Sequence, residues 1–197
     1  AYYTNQFADG SDDTVKYNGI SKLGEGMIKE MNRLGIIIDM SHISAEAMND
    51  ILDITKAPLI FSHSNARTLC NVNRNVPDEV LLRLKANNGL IMLTPVPYFT
   101  RKDHYEWMDR GDTLYYKIIK EFPNDRAKVD SIMEEWERED VMPIVTVKDF
   151  ADHFDYVKNL IGVDHIGIAG DYDGIQYTIK GMEDVSTYPS LLIELIN

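Results

Sequence analysis

The stretch Leu34-Gly35-Ile36-Ile37-Ile38-Asp39-Met40-Ser41-His42 sets the fold reading of this 197-residue chain. A glycine stands where a helix should stop, because glycine enters the left-handed conformation without a Cβ clash. A β-branched run follows it, and chemically able polar side chains come directly after the run. The run lacks strict polar alternation, which predicts a strand covered on both faces, as in a parallel sheet. Three further runs repeat the pattern: Leu59-Ile60-Phe61, Leu90-Ile91-Met92-Leu93 and Ile166-Gly167-Ile168-Ala169.

Segments of helical period separate these runs. Residues 22–34 place Leu23, Met27, Ile28, Met31 and Leu34 on one face. Ser44 is a good N-cap with Glu46 in the first turn, ahead of Met48, Ile51, Leu52 and Ile54. Pro77 suits the first position of a third helix carrying Val80, Leu81 and Leu84. Thr146 and Asp149 have capping-box spacing before Phe150, Phe154, Val157 and Ile161, and Gly162 closes that helix. The order predicts repeated βα units on a parallel sheet. Residues 99–145 interrupt it with charge and aromatics (Tyr105, Trp107, Tyr115, Tyr116, Trp136), predicting one or two helices inserted as a lid or binding excursion.

Composition narrows the function classes. Hydrophobic residues make up 44% and charged residues 26%, which is globular. No apolar run approaches the roughly 18 residues of a membrane span. A net charge of -12 repels phosphate backbones, so no nucleic-acid partner is expected. The single cysteine, Cys70, excludes an intrachain disulfide framework and a thiolate zinc cluster; it reads as a small buried hydrophobe. The chain opens on Ala1 without a leader-like segment and stops in an apolar stretch from Leu191, so both ends read as cut from a longer protein.

Ligands of parallel βα folds gather at the carboxyl ends of the strands. That edge should carry His42 after the first run, His63 after the second and Asp171 after the fourth. Neighbouring strands lie about 4.8 Å apart, so His42 and His63 can reach one metal, for which zinc suits mixed nitrogen and carboxylate donors. Asp171 could bind metal or exchange protons with a water; a plain turn role within Asp171-Tyr172-Asp173-Gly174 stays open. Asp39 reads equally as an orienting partner of a histidine or as a buried capping carboxylate. Arg74 suits a substrate carboxylate, or is a surface arginine. His104, His153 and His165 read as structural or surface groups. Nucleophile elbow, phosphate loop and dinucleotide fingerprint are all missing from the sequence.

Taken together, Ile38-Asp39-Met40-Ser41-His42-Ile43-Ser44, Ile60-Phe61-Ser62-His63-Ser64, Arg74-Asn75-Val76-Pro77-Asp78 and Gly167-Ile168-Ala169-Gly170-Asp171-Tyr172-Asp173-Gly174 resemble the membrane (renal) dipeptidase family of zinc peptidases. The long insert at 99–145 is similar to bacterial-type members. The resemblance implies a metal-dependent hydrolase of TIM-barrel, (β/α)8 type, with two zinc ions in the complete site. It implies that His42 and His63 ligate one zinc, that Asp171 handles the proton, and that Arg74 holds the C-terminal carboxylate of a dipeptide substrate. Homodimers are the family's default.

The family's first strand also carries a His-X-Asp pair and a third strand a bridging glutamate; neither is matched here in context. A further substrate-contacting histidine would fall at or near Ala1. An eight-stranded barrel takes about 250 residues, and four strands are readable here. The chain is therefore expected to be the C-terminal portion of one barrel domain across 1–197. Its N-terminal half would be missing, and the fragment alone inactive, with open edges that promote self-association. The competing readings are a non-catalytic half-barrel or degenerate homologue used for binding or assembly, and another amidohydrolase activity such as deacylation.

Overall fold

A computed structural model describes residues 3–196. Ala1, where the resemblance sets a further histidine, lies outside them. Three strands form one parallel sheet in the order β1 (Ile60–Phe61), β2 (Leu90–Leu93), β3 (Ile166–Ile168). Their register pairs Ile60 with Leu90 and Ile91 with Ile166. The first apolar run is not a ladder strand. It joins β1 through one parallel bridge, Asp39 to Ile60, where Met40 N–H donates to the Ile60 carbonyl at 2.8 Å. Ile36 and Ile37 are 49% and 66% exposed, not covered on both faces. The reason is position: this run is the outermost stave and only its β1 side is paired. β3 forms the other border, and its Ile168 is likewise 39% exposed.

The helices start and stop where their capping chemistry dictates. α1 (Lys22–Leu34) is capped by the Ser21 hydroxyl, which accepts from Gly24 N–H, and ends at Gly35 with φ 70°. Its buried side is narrower than the sequence period suggests: Ile28 is buried, whereas Leu23 and Leu34 are exposed. α2 (Ala45–Ile54) starts from Ser44, whose hydroxyl accepts from Ala47 N–H. In α3 (Asp78–Ala86), Pro77 is the cap residue and not the first helical one, at φ -65° and ψ 152°.

The insert is helical: α4 (Pro97–Thr100), α5 (Lys102–Glu121) and α6 (Arg126–Glu139). α5 and α6 pack through Trp107 and Trp136, stacked at 5.1 Å. Gly111 lets them close, because a Cβ there would lie 2.7 Å from the Trp136 ring. α7 (Val147–Ile161) carries the complete Thr146–Asp149 capping box, and α8 (Tyr188–Ile196) packs on it.

Helices α1, α2, α3, α7 and α8 touch in succession and cover one side of the staves. Met40, Leu59, Phe61, Ile91 and Leu93 from the staves meet Met48, Leu81, Leu84, Phe150 and Val157 in one core. Each fully buried side chain of this kind contributes roughly 1.5–3 kcal/mol. A smaller cluster joins Cys70, Val72 and Val96 to Phe99 of α4. Cys70 is buried as expected, and burial pushes its thiol up to about 12.

Candidate metal and substrate site

The stave ends build the site. His42 follows the outer stave, His63 follows β1, and Asp171 follows β3. His42 and Asp171 both have left-handed backbones, with φ 74° and 62°. Non-glycine residues reach that region at some energetic cost, and such residues concentrate at functional sites. The turn reading of 171–174 holds as well: Gly174 N–H donates to the Asp171 carbonyl at 3.0 Å, and Asp173 is exposed in that turn.

The two imidazoles converge. His42 Nε2 and His63 Nε2 lie 2.8 Å apart, with the rings tilted by 58°. On the far side of His63, Nδ1 lies 2.6 Å from Ser62 Oγ. Ser62 Oγ itself donates to Asp39 Oδ2. A hydroxyl that donates to a carboxylate has only lone pairs left for Nδ1, so Nδ1 carries the hydrogen. Nε2 of His63 therefore presents a bare lone pair toward His42.

Asp39 is exposed, not buried, and still caps: one oxygen accepts from Ser41 N–H and Ser62 N–H, both at 3.0 Å. Loss of solvation works to raise its pKa, but the Ser62 hydroxyl and these amides outweigh it and hold the carboxyl below its usual range. Both proposals for Asp39 are thus compatible with one geometry.

Burial and the neighbouring Arg74 push His42 down to about 3. His63 is lowered as well, mainly by burial, with Asp171 opposing. Both rings are neutral near neutral pH, the form that ligates metal. His42 Nε2 therefore donates to His63 Nε2, and a divalent ion such as zinc that displaced this shared hydrogen would meet two nitrogen donors. Among the described residues, no third His, Cys, Asp or Glu completes a metal-holding group with them.

Arg74 is not a surface arginine: only 6% of it is exposed. Its Nη1 donates to Ser64 Oγ at 3.3 Å and its Nη2 to the His63 carbonyl at 3.1 Å. Its guanidinium lies 4.9 Å over the Phe99 ring, and its buried Nε has no partner among the described residues. His42, Arg74 and Asp171 line one cavity of about 620 Å³, along with Tyr98, Phe99 and one face of α5.

Several contributors lay outside the sequence reading. Ser62 is one, and the buried pair Asn65 and Asn75 is another. Asn75 Nδ2 donates to the carbonyls of Cys70 and Phe99, and its Oδ1 accepts from Asn65 N–H. That lattice fixes the loop bearing Arg74. Buried asparagines in an irregular loop carry no periodic signal, so only their pairing reveals them.

The other histidines are structural. His153 is 1% exposed; Ala66 N–H donates to its Nδ1, and its Nε2 donates to the Thr100 carbonyl. His104 Nδ1 donates to the Pro143 carbonyl, and His165 Nδ1 is 2.9 Å from the Gly89 carbonyl. The sequence does contain one His-X-Asp triplet, His153-Phe154-Asp155, but it lies in α7 with Asp155 paired to Lys158, away from any stave end. It cannot supply a strand-borne ligand pair.

Known proteins are similar to this chain over nearly its whole length. The dipeptidase aclJ of Aspergillus oryzae is 34% identical over 98% of this chain and 37% of its own length. The dipeptidase tcpJ of Claviceps purpurea is 37% identical over 91% of this chain and 33% of its own length. The chain thus spans about a third of these curated relatives. The crystal structure of the probable dipeptidase PvdM from Pseudomonas aeruginosa superposes with TM-score 0.81 at 26% identity, over 100% of this chain and 55% of that one. A metallo peptidase from Rhodobacter sphaeroides, solved with a phosphinate mimic of the dipeptide L-Ala-D-Ala, shares the fold at TM-score 0.71 and 22% identity. It is covered over 46% of its length, and this chain over 97%. The profile described as membrane dipeptidase (peptidase family M19) matches residues 1–197, and the chain belongs to that family.

Proposed function

We propose that this chain is the part of a zinc-dependent dipeptidase that supplies one metal's histidines, the carboxylate grip and the proton-transfer acid. The observation that carries it is the convergence of His42 Nε2 and His63 Nε2 beside Arg74 and Asp171. The exposed borders at Ile36, Ile37 and Ile168 support a further reading: the four staves are one arc of a (β/α)8 barrel whose other strands bear the remaining ligands.

Each residue has a separable task. Arg74, already tied to Ser64 and the His63 carbonyl, is held at the cavity wall, where its guanidinium charge would receive a carboxylate. A C-terminal carboxylate fixed there sets the register of the scissile bond. Asp171 takes a proton from the attacking water and returns it to the leaving amine. His42 and His63 would hold the zinc, whose contribution is polarisation of the carbonyl and activation of water. Asp39, through Ser62, holds the His63 tautomer that leaves Nε2 free to ligate.

Isolated, the chain is proposed to be inactive, since His42 and His63 belong to no three-ligand group among the described residues. The test is dipeptide hydrolysis by the complete protein, measured before and after chelation and again after zinc is restored. Loss and return of turnover is expected. Turnover indifferent to chelation, or none with zinc present, overturns the reading.

A further inference from the structure

The cavity at the stave ends extends along α5, past Tyr105, Met108, Asp109, Asp112 and Tyr116. These residues share one helical face by spacing, and 105–116 cover about 16 Å. The two residues of an extended dipeptide span about 7 Å. The trough therefore has room for a long side chain beyond the peptide itself. It continues over Met108, Asp112 and Tyr116 into a second cavity of about 460 Å³ beside the stacked Trp107 and Trp136.

The charge along this path is one-sided. Asp12, Asp109 and Asp112 line the first cavity, and Asp130 and Glu137 the second. Among the described residues the second cavity's one lining cation, Arg126, is already paired, its Nε 2.8 Å from Asp130. At the other end, Arg74 lines the first cavity beside His42 and Asp171, where the proposed dipeptide carboxylate would sit. A ligand satisfying both ends carries an anion at Arg74 and a cation along α5. Burial and Asp109 both push the Asp112 carboxyl up, a crowding that a cation beside the pair would relieve. The aromatic walls suit a cation as well.

We infer that the face of α5 bearing Asp109 and Asp112 selects a basic side chain, so that the complete protein prefers dipeptides containing a lysine- or arginine-like group. This rests on the dipeptidase reading for its substrate, and the test separates the two. The zinc-stripped complete protein, which cannot turn over substrate, is titrated calorimetrically with Ala-Lys and Lys-Ala and with their norleucine counterparts. At least one lysine peptide should bind about tenfold tighter than its neutral counterpart. The D109N/D112N double variant, changed only at exposed positions, should lose that preference while binding the norleucine peptides as before.

With zinc restored, the same variant should raise KM for the lysine peptide and leave kcat unchanged. Equal binding of lysine and norleucine peptides, or a preference that survives D109N/D112N, overturns the inference even if hydrolysis proceeds. Preferential binding without hydrolysis in zinc-loaded protein leaves the inference standing and overturns the dipeptidase reading.

Discussion

His42 Nε2 and His63 Nε2 meet at 2.8 Å although the residues are 21 positions apart and leave different staves. The parallel pairing of Asp39 with Ile60 brings the two stave ends side by side, and each ring turns its Nε2 to the same point. The meeting predicts a shared ligand. H42A and H63A should each reduce zinc retention and dipeptide turnover by at least about a hundredfold, with the fold intact. Metal content after dialysis against a mild chelator, with circular dichroism as the fold check, decides it. Wild-type zinc retention in either variant would remove these rings from the metal site.

Among the described residues, Ser62 is the only hydrogen-bonded link between the Asp39 carboxylate and the His63 ring. S62A breaks that link but leaves the Asp39 bonds to the Ser41 and Ser62 amides in place. Zinc affinity is expected to fall about 10–100-fold, with little change in thermal midpoint. S62T, which keeps the hydroxyl, should restore most of the affinity. An unchanged affinity in S62A would make Asp39 a capping residue alone.

Arg74 combines a planar fork with contact on Phe99, and lysine offers neither. R74K should raise KM for dipeptides about tenfold or more, with a smaller effect on kcat. The same variant should lose less for substrates whose C-terminus is amidated. Steady-state kinetics on matched acid and amide peptides provide the comparison. An equal loss on both would assign Arg74 to the scaffold.

His153 carries a pH signature. Burial lowers its pKa, opposed by the Thr100 carbonyl, so the native ring is neutral. In the unfolded chain it protonates near its ordinary value of about 6.5. Its contribution is therefore fully present above about pH 6.5 and declines as pH falls below it, because the unfolded state then binds the extra proton. Urea midpoints should drop between pH 7.5 and pH 5.5, and H153L should flatten part of that slope. H153L should also cost about 2–4 kcal/mol at pH 7.5, since Ala66 N–H and the Thr100 carbonyl lose their partners. A slope unchanged by H153L would mean the ring titrates normally in the folded protein.

Much of the architecture was legible residue by residue. Ser44, the Thr146–Asp149 box, Gly35 and Gly162 mark helix ends because capping involves only neighbours within one turn. The three ladder strands appear as apolar runs because their side chains feed the core, most fully at Phe61, Ile91 and Leu93. His42, His63 and Asp171 stood out because a parallel sheet aligns everything that follows a strand along one edge.

What stayed hidden depends on partners far along the chain. Ile36 and Ile37 look like an inner strand by composition, yet they are exposed, because coverage is set by what lies beside a stave and not by its own residues. Ser62 gains its meaning only from Asp39, 23 residues earlier. Asn65 and Asn75 are buried only because Thr94, Thr100 and Phe99 close over them. The charge of the α5 wall is plain in the sequence; that it borders the same cavity as Arg74 is not. Local hydrogen bonding and periodicity are written into short segments. Which side chains face one another across a cavity follows from the packing of segments remote in sequence, and no short window contains it.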